Sequence, residues 1–204
     1  MQGIASLVAP PRCAACGLPC DAADIVCTAC EGELEAATPQ LEPGPPGVEL
    51  AVAACDFGGA ARAVAHGLKF GRRLALAEVA ARAIARACPE AELRGSVVPV
   101  PAASWRWRWR GFDPAEEIAL ALAELAGLPY GPCLRRARGS RQVGRPRAER
   151  LADPPRVWSA AGVPAEALLV DDVHTTGATL AACASALRAG GCVRVVALTL
   201  ARVR

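Results

Sequence analysis

After residue 48, apolar and polar residues follow one another along the chain in two different patterns. Short apolar runs indicate buried strands, and longer segments with apolar residues three and four positions apart indicate helices. The runs predict strands over residues 50–57, 97–100, 168–173 and 193–201. The longer segments predict helices over residues 60–70, 74–87, 115–128 and 180–191, the last with Gly190 as its C-cap. Strands that alternate with helices predict an α/β fold, with a parallel sheet covered by helices on both faces.

The segment before residue 48 is rich in cysteine, proline and glycine and lacks such long patterns. Residues 39–47, PQLEPGPPG, are typical of a linker, because proline and glycine interrupt helices and strands. The chain is therefore predicted to contain a small module over residues 1–38, a linker over residues 39–47 and a main domain over residues 48–204.

Four cysteines of the small module form two CxxC pairs separated by ten residues: Cys13, Cys16, Cys27 and Cys30. Two such pairs predict a closed tetrahedral zinc site, which is structural because no coordination position stays open. Zinc would then supply much of the folding free energy of this module. Disulfides are the alternative, and Cys20 either substitutes for one ligand or packs as a small apolar residue.

The net charge and the length of the apolar runs bear on which partners and which cell compartment are expected. The chain has 204 residues, and 23 basic residues exceed 20 acidic ones by only three, so total charge does not indicate nucleic-acid binding. No apolar run approaches the roughly 20 residues that span a bilayer, and the first residues do not resemble a secretory leader. A cytoplasmic protein without membrane insertion is predicted.

The segment LLVDDVHTTGAT, residues 168–179, combines an apolar strand, two carboxylates and a hydroxyl-rich turn. Asp171 and Asp172 follow the apolar residues 168–170, where the strand would emerge at the sheet edge at which open parallel sheets bind ligands. The turn leads into a helix, whose free N–H groups and neighbouring hydroxyls form an anion-binding cradle. The predicted loop residues are Thr175, Thr176, Gly177, Ala178 and Thr179. Alternatively, the acids merely end a strand and the Thr-Gly pair caps a helix.

This segment resembles the phosphoribosyl pyrophosphate (PRPP) signature of type I phosphoribosyltransferases. The resemblance implies that Asp171 and Asp172 hold the ribose hydroxyls and that residues 175–179 hold the 5-phosphate. It also implies magnesium, held mainly by oxygens of PRPP with the acid pair nearby. The expected fold is then the parallel sheet of that enzyme class with the four-cysteine module added.

Further segments are similar to the ComF family of competence-associated proteins, in the same order along the chain. They are the four-cysteine module, CDFGGAARAVAHGLKFGRR, VVPVP with an arginine stretch ending in RGF, QVGRPRAER and VDDVHTTGAT. The resemblance implies a role in single-stranded DNA uptake during natural transformation, with PRPP, single-stranded DNA and a competence helicase as partners. The chain departs from the family at Asp113 and Pro114, which replace an amide pair, and at Asp153, where asparagine is common.

Two basic segments supply candidate contacts to pyrophosphate or nucleic acid. In SWRWRWR, residues 104–110, tryptophans alternate with Arg106, Arg108 and Arg110, which suits base stacking combined with phosphate contacts. The second segment, residues 135–150, includes Arg145, Arg147 and Arg150 and could close over a polyphosphate. Alternatively, the tryptophans pack on the cysteine module, and the arginines of both segments are only solvated.

No catalytic residue is assigned. His174 could act as a general base near neutral pH, but ordinary exposure in a loop is the simpler interpretation. Lys69 could add a cation to the site, although ordinary exposure is again the simpler expectation. Two functions follow: a PRPP-binding protein of DNA uptake, or an active phosphoribosyltransferase whose acceptor is unidentified.

Overall fold

The computed structural model describes residues 11–102, 111–137 and 155–203. Its strands are β1 (Gln40–Pro43), β2 (Leu50–Asp56), β3 (Ser96–Pro99), β4 (Leu134–Arg136), β5 (Val157–Ser159), β6 (Glu166–His174) and β7 (Arg194–Arg202). Its helices are α1 (Thr28–Ala36), α2 (Gly59–Gly71), α3 (Leu76–Ala87), α4 (Pro114–Ala126) and α5 (Ala178–Ala189), and a 3-10 turn covers Glu90–Glu92.

The central sheet has five strands in the order β1-β2-β7-β6-β3. Strands β2, β7, β6 and β3 are parallel, and β1 is an antiparallel edge strand. A separate antiparallel ribbon joins β4 to β5. The predicted α/β class with a mostly parallel sheet is therefore confirmed.

Helices cover the sheet on both faces because the central strands bury side chains on both sides. On one face, Leu168 and Val170 pack with α2, α3 and α4. On the other face, Ala167 and Leu169 pack with α5 and the β4-β5 ribbon. Successive residues of a strand point to opposite faces, which explains why this sequence is a continuous apolar run. The described parts of the chain contain no helix with the length and apolarity needed to cross a membrane.

The Pro/Gly-rich segment is only partly the linker that its composition predicts. Gln40–Pro43 forms an edge strand, with Leu41 opposite Val52 of β2. Residues on both sides of this segment also share one core, in which Cys13 and Leu34 pack with α2 and α3. Backbone pairing with β2 outweighs the weak strand preference of this sequence, since an edge strand tolerates proline.

Candidate functional site

The four predicted zinc ligands come together in the structure. The sulfur atoms of Cys13, Cys16, Cys27 and Cys30 lie within 4.8 Å of one another, with 3.8 Å between Cys13 and Cys30 and 3.7 Å between Cys16 and Cys27. Zinc–sulfur bonds of about 2.3 Å give a tetrahedron with edges of about 3.8 Å. A disulfide would need about 2.0 Å, and all four thiols are free. The four cysteines could therefore bind a metal ion such as zinc, and the alternative disulfides are not formed.

Local backbone structure explains how each CxxC pair is presented. In the first pair, Cys13 donates its backbone N–H to the Leu18 carbonyl and accepts from Gly17 N–H, which closes a tight turn. In the second pair, Cys27 occupies the N-cap position of α1 without a side-chain capping bond, and Cys30 lies in the first turn. A helix N-terminus favours negative charge, but burial and the neighbouring cysteines raise the pKa of the Cys30 thiol well above its usual range.

Two observations distinguish the thiols of this module. Burial raises the pKa of Cys13, but backbone N–H donors, including that of Cys16, outweigh it and lower this pKa to about 6. Cys20 is not part of the cluster and instead donates its S–H to the Asp24 carbonyl at 3.8 Å. Of the two roles left open for Cys20, substitution for a ligand is not needed, because the other four thiols complete the set.

The predicted acid pair lies near the carboxyl end of β6, between β7 and β3. Asp171 is half-buried and points to the same sheet face as Leu169, which α5 covers. Asp172 points to the same sheet face as Val170, which α2 covers. Oδ1 of Asp171 accepts the backbone N–H of Asp172 at 2.8 Å. The two acids are adjacent in sequence but lie on opposite sides of the sheet.

Burial raises the pKa of Asp171 well above its usual range, and the nearby charge of Asp172 raises it further. The positive charge of Lys69 acts in the opposite direction. A carboxyl group in this position binds a proton more readily than an exposed aspartate does. A ligand that donates hydrogen bonds, or a bound cation, would favour its ionised form.

Asp172 is buried, with 6 % of its surface exposed, and Lys69 provides its charge partner. Lys69 Nζ lies 2.5 Å from Asp172 Oδ2, reaching across from the last turn of α2. The expectation that Lys69 is an ordinary exposed residue was therefore wrong. Sequence spacing could not reveal this pair, but the absence of any other lysine from so arginine-rich a chain was an available signal.

The predicted phosphate loop connects β6 directly to α5. Gly177 has a φ of 74°, and α5 begins at the next residue, Ala178. Thr176 Oγ1 accepts the Ala178 N–H at 3.4 Å, while other N–H groups of the first turn have no intrahelical acceptor. Thr175 and Thr179 are both half-buried. The loop thus joins the acid pair to a helix N-terminus within one short span.

His174 is the last residue of β6 and is buried, so the expectation of an exposed loop histidine was wrong. Burial lowers the pKa of its imidazole. Its Nε2 lies only 3.2 Å from the point that a Cβ atom on Gly177 would occupy. The ring therefore lies beside Gly177 and leaves little room for a side chain at that position.

Asp113 is a further functional candidate, which sequence analysis treated only as a departure from the ComF pattern. It is buried and caps α4, accepting the Ala115 N–H at Oδ1 and the Ala102 N–H at Oδ2, over 3.1 and 2.7 Å. Burial raises the pKa of Asp113 to about 6, although these two hydrogen bonds lower it. The charge of Asp172 raises this pKa as well. An aspartate followed by proline at a helix start was the available signal for this cap.

The six candidate arginines all lie outside the described residues: Arg106, Arg108, Arg110, Arg145, Arg147 and Arg150. The described neighbours of both segments lie near the site. Ala102, just before the first segment, is bonded to Asp113. Arg136 lies in the described start of the second segment. Burial chiefly raises the pKa of the Cys183 thiol, the charge of Asp171 raises it further, and the charge of Arg136 lowers it.

No protein-family model matches the chain, and no curated protein matches it. A functional assignment therefore depends on the residues themselves. Among the residues that the structure describes, two groups carry chemistry: the four thiols, and the site made of the acid pair, Lys69, Asp113 and the Thr-Gly loop.

Proposed function

We propose that this chain is a ComF-like protein with a type I phosphoribosyltransferase domain, which binds PRPP with magnesium and acts in single-stranded DNA uptake during natural transformation. One observation carries the proposal. A buried parallel strand carries two carboxylates near its carboxyl end, ends at His174 and passes through a glycine turn of positive φ into a helix N-terminus. This order matches the chemistry of a ribose 5-phosphate, with hydroxyls next to a phosphate.

Each part of the ligand has a suitable partner. Carboxylate oxygens of Asp171 and Asp172 accept hydrogen bonds from ribose hydroxyls. Backbone N–H groups and threonine hydroxyls of residues 175–179 donate to the 5-phosphate, and the dipole of α5 favours its negative charge. Magnesium would be held mainly by oxygens of PRPP, with the acid pair nearby, and would supply charge neutralisation at the pyrophosphate.

The two basic segments would bind the negatively charged pyrophosphate of PRPP or the phosphates of a nucleic acid. Arg106, Arg108 and Arg110 suit a pyrophosphate group, because guanidinium groups bind phosphate oxygens in pairs. Alternating tryptophans suit the stacking of single-stranded bases. A competence helicase is the protein partner that the ComF resemblance implies.

Calorimetric titration of PRPP, with and without magnesium, tests the ligand. We expect magnesium-dependent binding that is lost in the Asp171→Asn, Asp172→Asn double variant. The control is the Asp21→Asn, Asp24→Asn double variant, which makes the same charge change at two exposed positions of the cysteine module. Absence of binding to the unaltered protein would contradict the proposal.

Fluorescence anisotropy with labelled single-stranded DNA tests the uptake role. Affinity should fall steeply as salt rises, because phosphate contacts release counterions. Trp107→Ala and the paired change Arg145→Ala, Arg147→Ala should both weaken it. Binding that is undetectable or independent of salt would count against DNA as a direct partner.

An active phosphoribosyltransferase is the second candidate, favoured by the acid pair next to a phosphate loop. Such an enzyme should release pyrophosphate from PRPP faster when its acceptor is added, and Asp171→Asn should abolish this release. A broad acceptor screen with no stimulated release would leave the binding role as the better description.

A further inference from the structure

The site contains the only lysine of the chain. Of the 23 basic residues, 22 are arginine and one, Lys69, is lysine. All the remaining basic residues are arginine. A lysine beside the acid pair therefore indicates that this position requires the geometry of an ammonium group. A compact ammonium group and a planar guanidinium group bind carboxylates differently.

The contact between Lys69 and Asp172 reaches one carboxylate oxygen. Nζ lies 2.5 Å from Oδ2, and the two side chains are 25 % and 8 % exposed. Within the described ranges, Oδ2 accepts no hydrogen bond of standard geometry, so the ammonium group is its charge partner. The pair is well shielded from solvent on the aspartate side, and the lysine side remains partly open.

An arginine at position 69 would change what Asp172 offers to a ligand. Its guanidinium group binds both oxygens of a carboxylate in a fork, whereas an ammonium group engages one. Lysine therefore neutralises the buried charge and still leaves the second oxygen, Oδ1, able to accept another hydrogen bond. Hydrogen bonds to ionised acceptors are stronger than those between neutral groups.

We propose that Lys69 is a positioning residue, which binds Oδ2 of Asp172 so that Oδ1 accepts a hydrogen bond from a hydroxyl of a phosphorylated pentose. This inference rests on the proposed sugar-phosphate site and assigns Asp172 and its partner to hydroxyl recognition. The lysine acts through Asp172, so its role is separable from recognition of the phosphate groups.

The test compares Lys69→Arg with the unaltered protein, using ribose 5-phosphate and magnesium pyrophosphate as separate probes. Lys69→Arg should keep the melting temperature and the affinity for magnesium pyrophosphate. Its affinity for ribose 5-phosphate should fall about ten- to hundredfold, the loss expected for one charged hydrogen bond. The control is Arg62→Lys, at an exposed position of the same helix, which should change neither affinity.

The outcomes separate this inference from the proposed function. If Lys69→Arg binds ribose 5-phosphate normally, Lys69 is a simple ion-pair partner and the inference is overturned. Equal loss of both probes would also overturn it, because the effect would not be specific to hydroxyls. If the unaltered protein binds neither PRPP nor ribose 5-phosphate, the proposed function itself is wrong and the inference falls with it.

If the arginine variant does not fold, a measurement on the unaltered protein tests whether Asp172 binds the sugar, which the inference requires. The carboxyl ¹³C resonance of Asp172, identified by its loss in Asp172→Asn, should shift with ribose 5-phosphate and not with magnesium pyrophosphate. If ribose 5-phosphate binds but the Asp172 carboxyl resonance does not shift, the inference is overturned.

Discussion

Oδ2 of Asp113 accepts the backbone N–H of Ala102 at 2.7 Å, so one carboxylate joins the two ends of the segment between them. Its other oxygen caps α4 through Ala115 N–H. The carboxylate is buried, and its position ties the end of β3 to the start of α4 beside the acid pair.

Asp113 should make the stability of the protein depend on pH. Burial raises its pKa from 3.8 to about 6 in the folded state, so the folded state binds this proton more tightly than the unfolded chain. The resulting stabilisation is complete below pH 4 and is lost as the pH rises towards 6 and above, by up to about 3 kcal/mol. Urea unfolding from pH 4 to pH 7 measures it.

Asp113→Asn is the matched comparison, since asparagine also caps helices but does not titrate. The difference in unfolding free energy between the two proteins should therefore change across this pH range in favour of the variant. A constant difference would show that the Asp113 pKa is not raised. Asparagine has one acceptor oxygen, so one of the two backbone hydrogen bonds should also be lost at every pH.

Gly177→Ala should destabilise the protein for two reasons. A φ of 74° is unfavourable for alanine by about 1–2 kcal/mol. A Cβ atom would also lie 3.0 Å from Pro45 Cβ and 3.2 Å from His174 Nε2, which are tight contacts. Gly127→Ala is the control, because φ is 64° there and no atom lies within 4 Å.

Chemical unfolding of both glycine variants separates backbone strain from packing. We expect Gly177→Ala to lose more stability than Gly127→Ala, and to lose affinity for PRPP while the control keeps it. Equal losses would mean that the turn can move away from His174 and Pro45.

Removal of the zinc ion that we propose for the four thiols should loosen α2 as well as the cysteine module. Ala14, within the first CxxC pair, accepts a hydrogen bond from Arg73 at 2.6 Å, and Glu33 of α1 accepts the Ala60 N–H at 2.9 Å. The start of α2 and Arg73, two residues beyond its end, thus both bond to residues of the module. Hydrogen exchange in α1 and α2 should rise after chelation or in Cys13→Ser, with loss of one bound zinc per chain.

Cys20→Ser is the control for this experiment, because Cys20 lies outside the thiol cluster. It should keep full zinc content and the exchange rates of the unaltered protein. Loss of zinc in Cys20→Ser, or unchanged exchange of α2 in Cys13→Ser, would contradict the proposed coupling.

Glu33→Gln should weaken the start of α2. The Glu33 carboxylate binds the Ala60 N–H at the positive end of the helix, an arrangement worth about 0.3–1 kcal/mol. Glu35→Gln is the control on the same helix, because Glu35 is well exposed and lies 4.0 Å from its partner Arg86. Thermal unfolding should show a larger loss for Glu33→Gln, and equal losses would assign no special role to Glu33.

Local pattern was sufficient for several parts of this protein. The strand that carries the acid pair was predictable, because burial on both faces requires a continuous apolar run. The four thiols were predictable because a metal site needs ligands at short, regular spacing. Strands β4 and β5 were not predicted, since each has three residues and forms only by pairing with the other.

The sequence by itself determined the alternation of strands and helices, the two CxxC pairs and the Asp-Asp and Thr-Gly residues of one strand–turn–helix segment. These features depend on neighbours within a few positions, where periodicity and turn chemistry act. Only the tertiary structure decided that Lys69 meets Asp172, that Asp113 holds Ala102 and that His174 is buried under Gly177. Those contacts depend on how helices pack across the sheet, which brings together residues that are far apart in the chain.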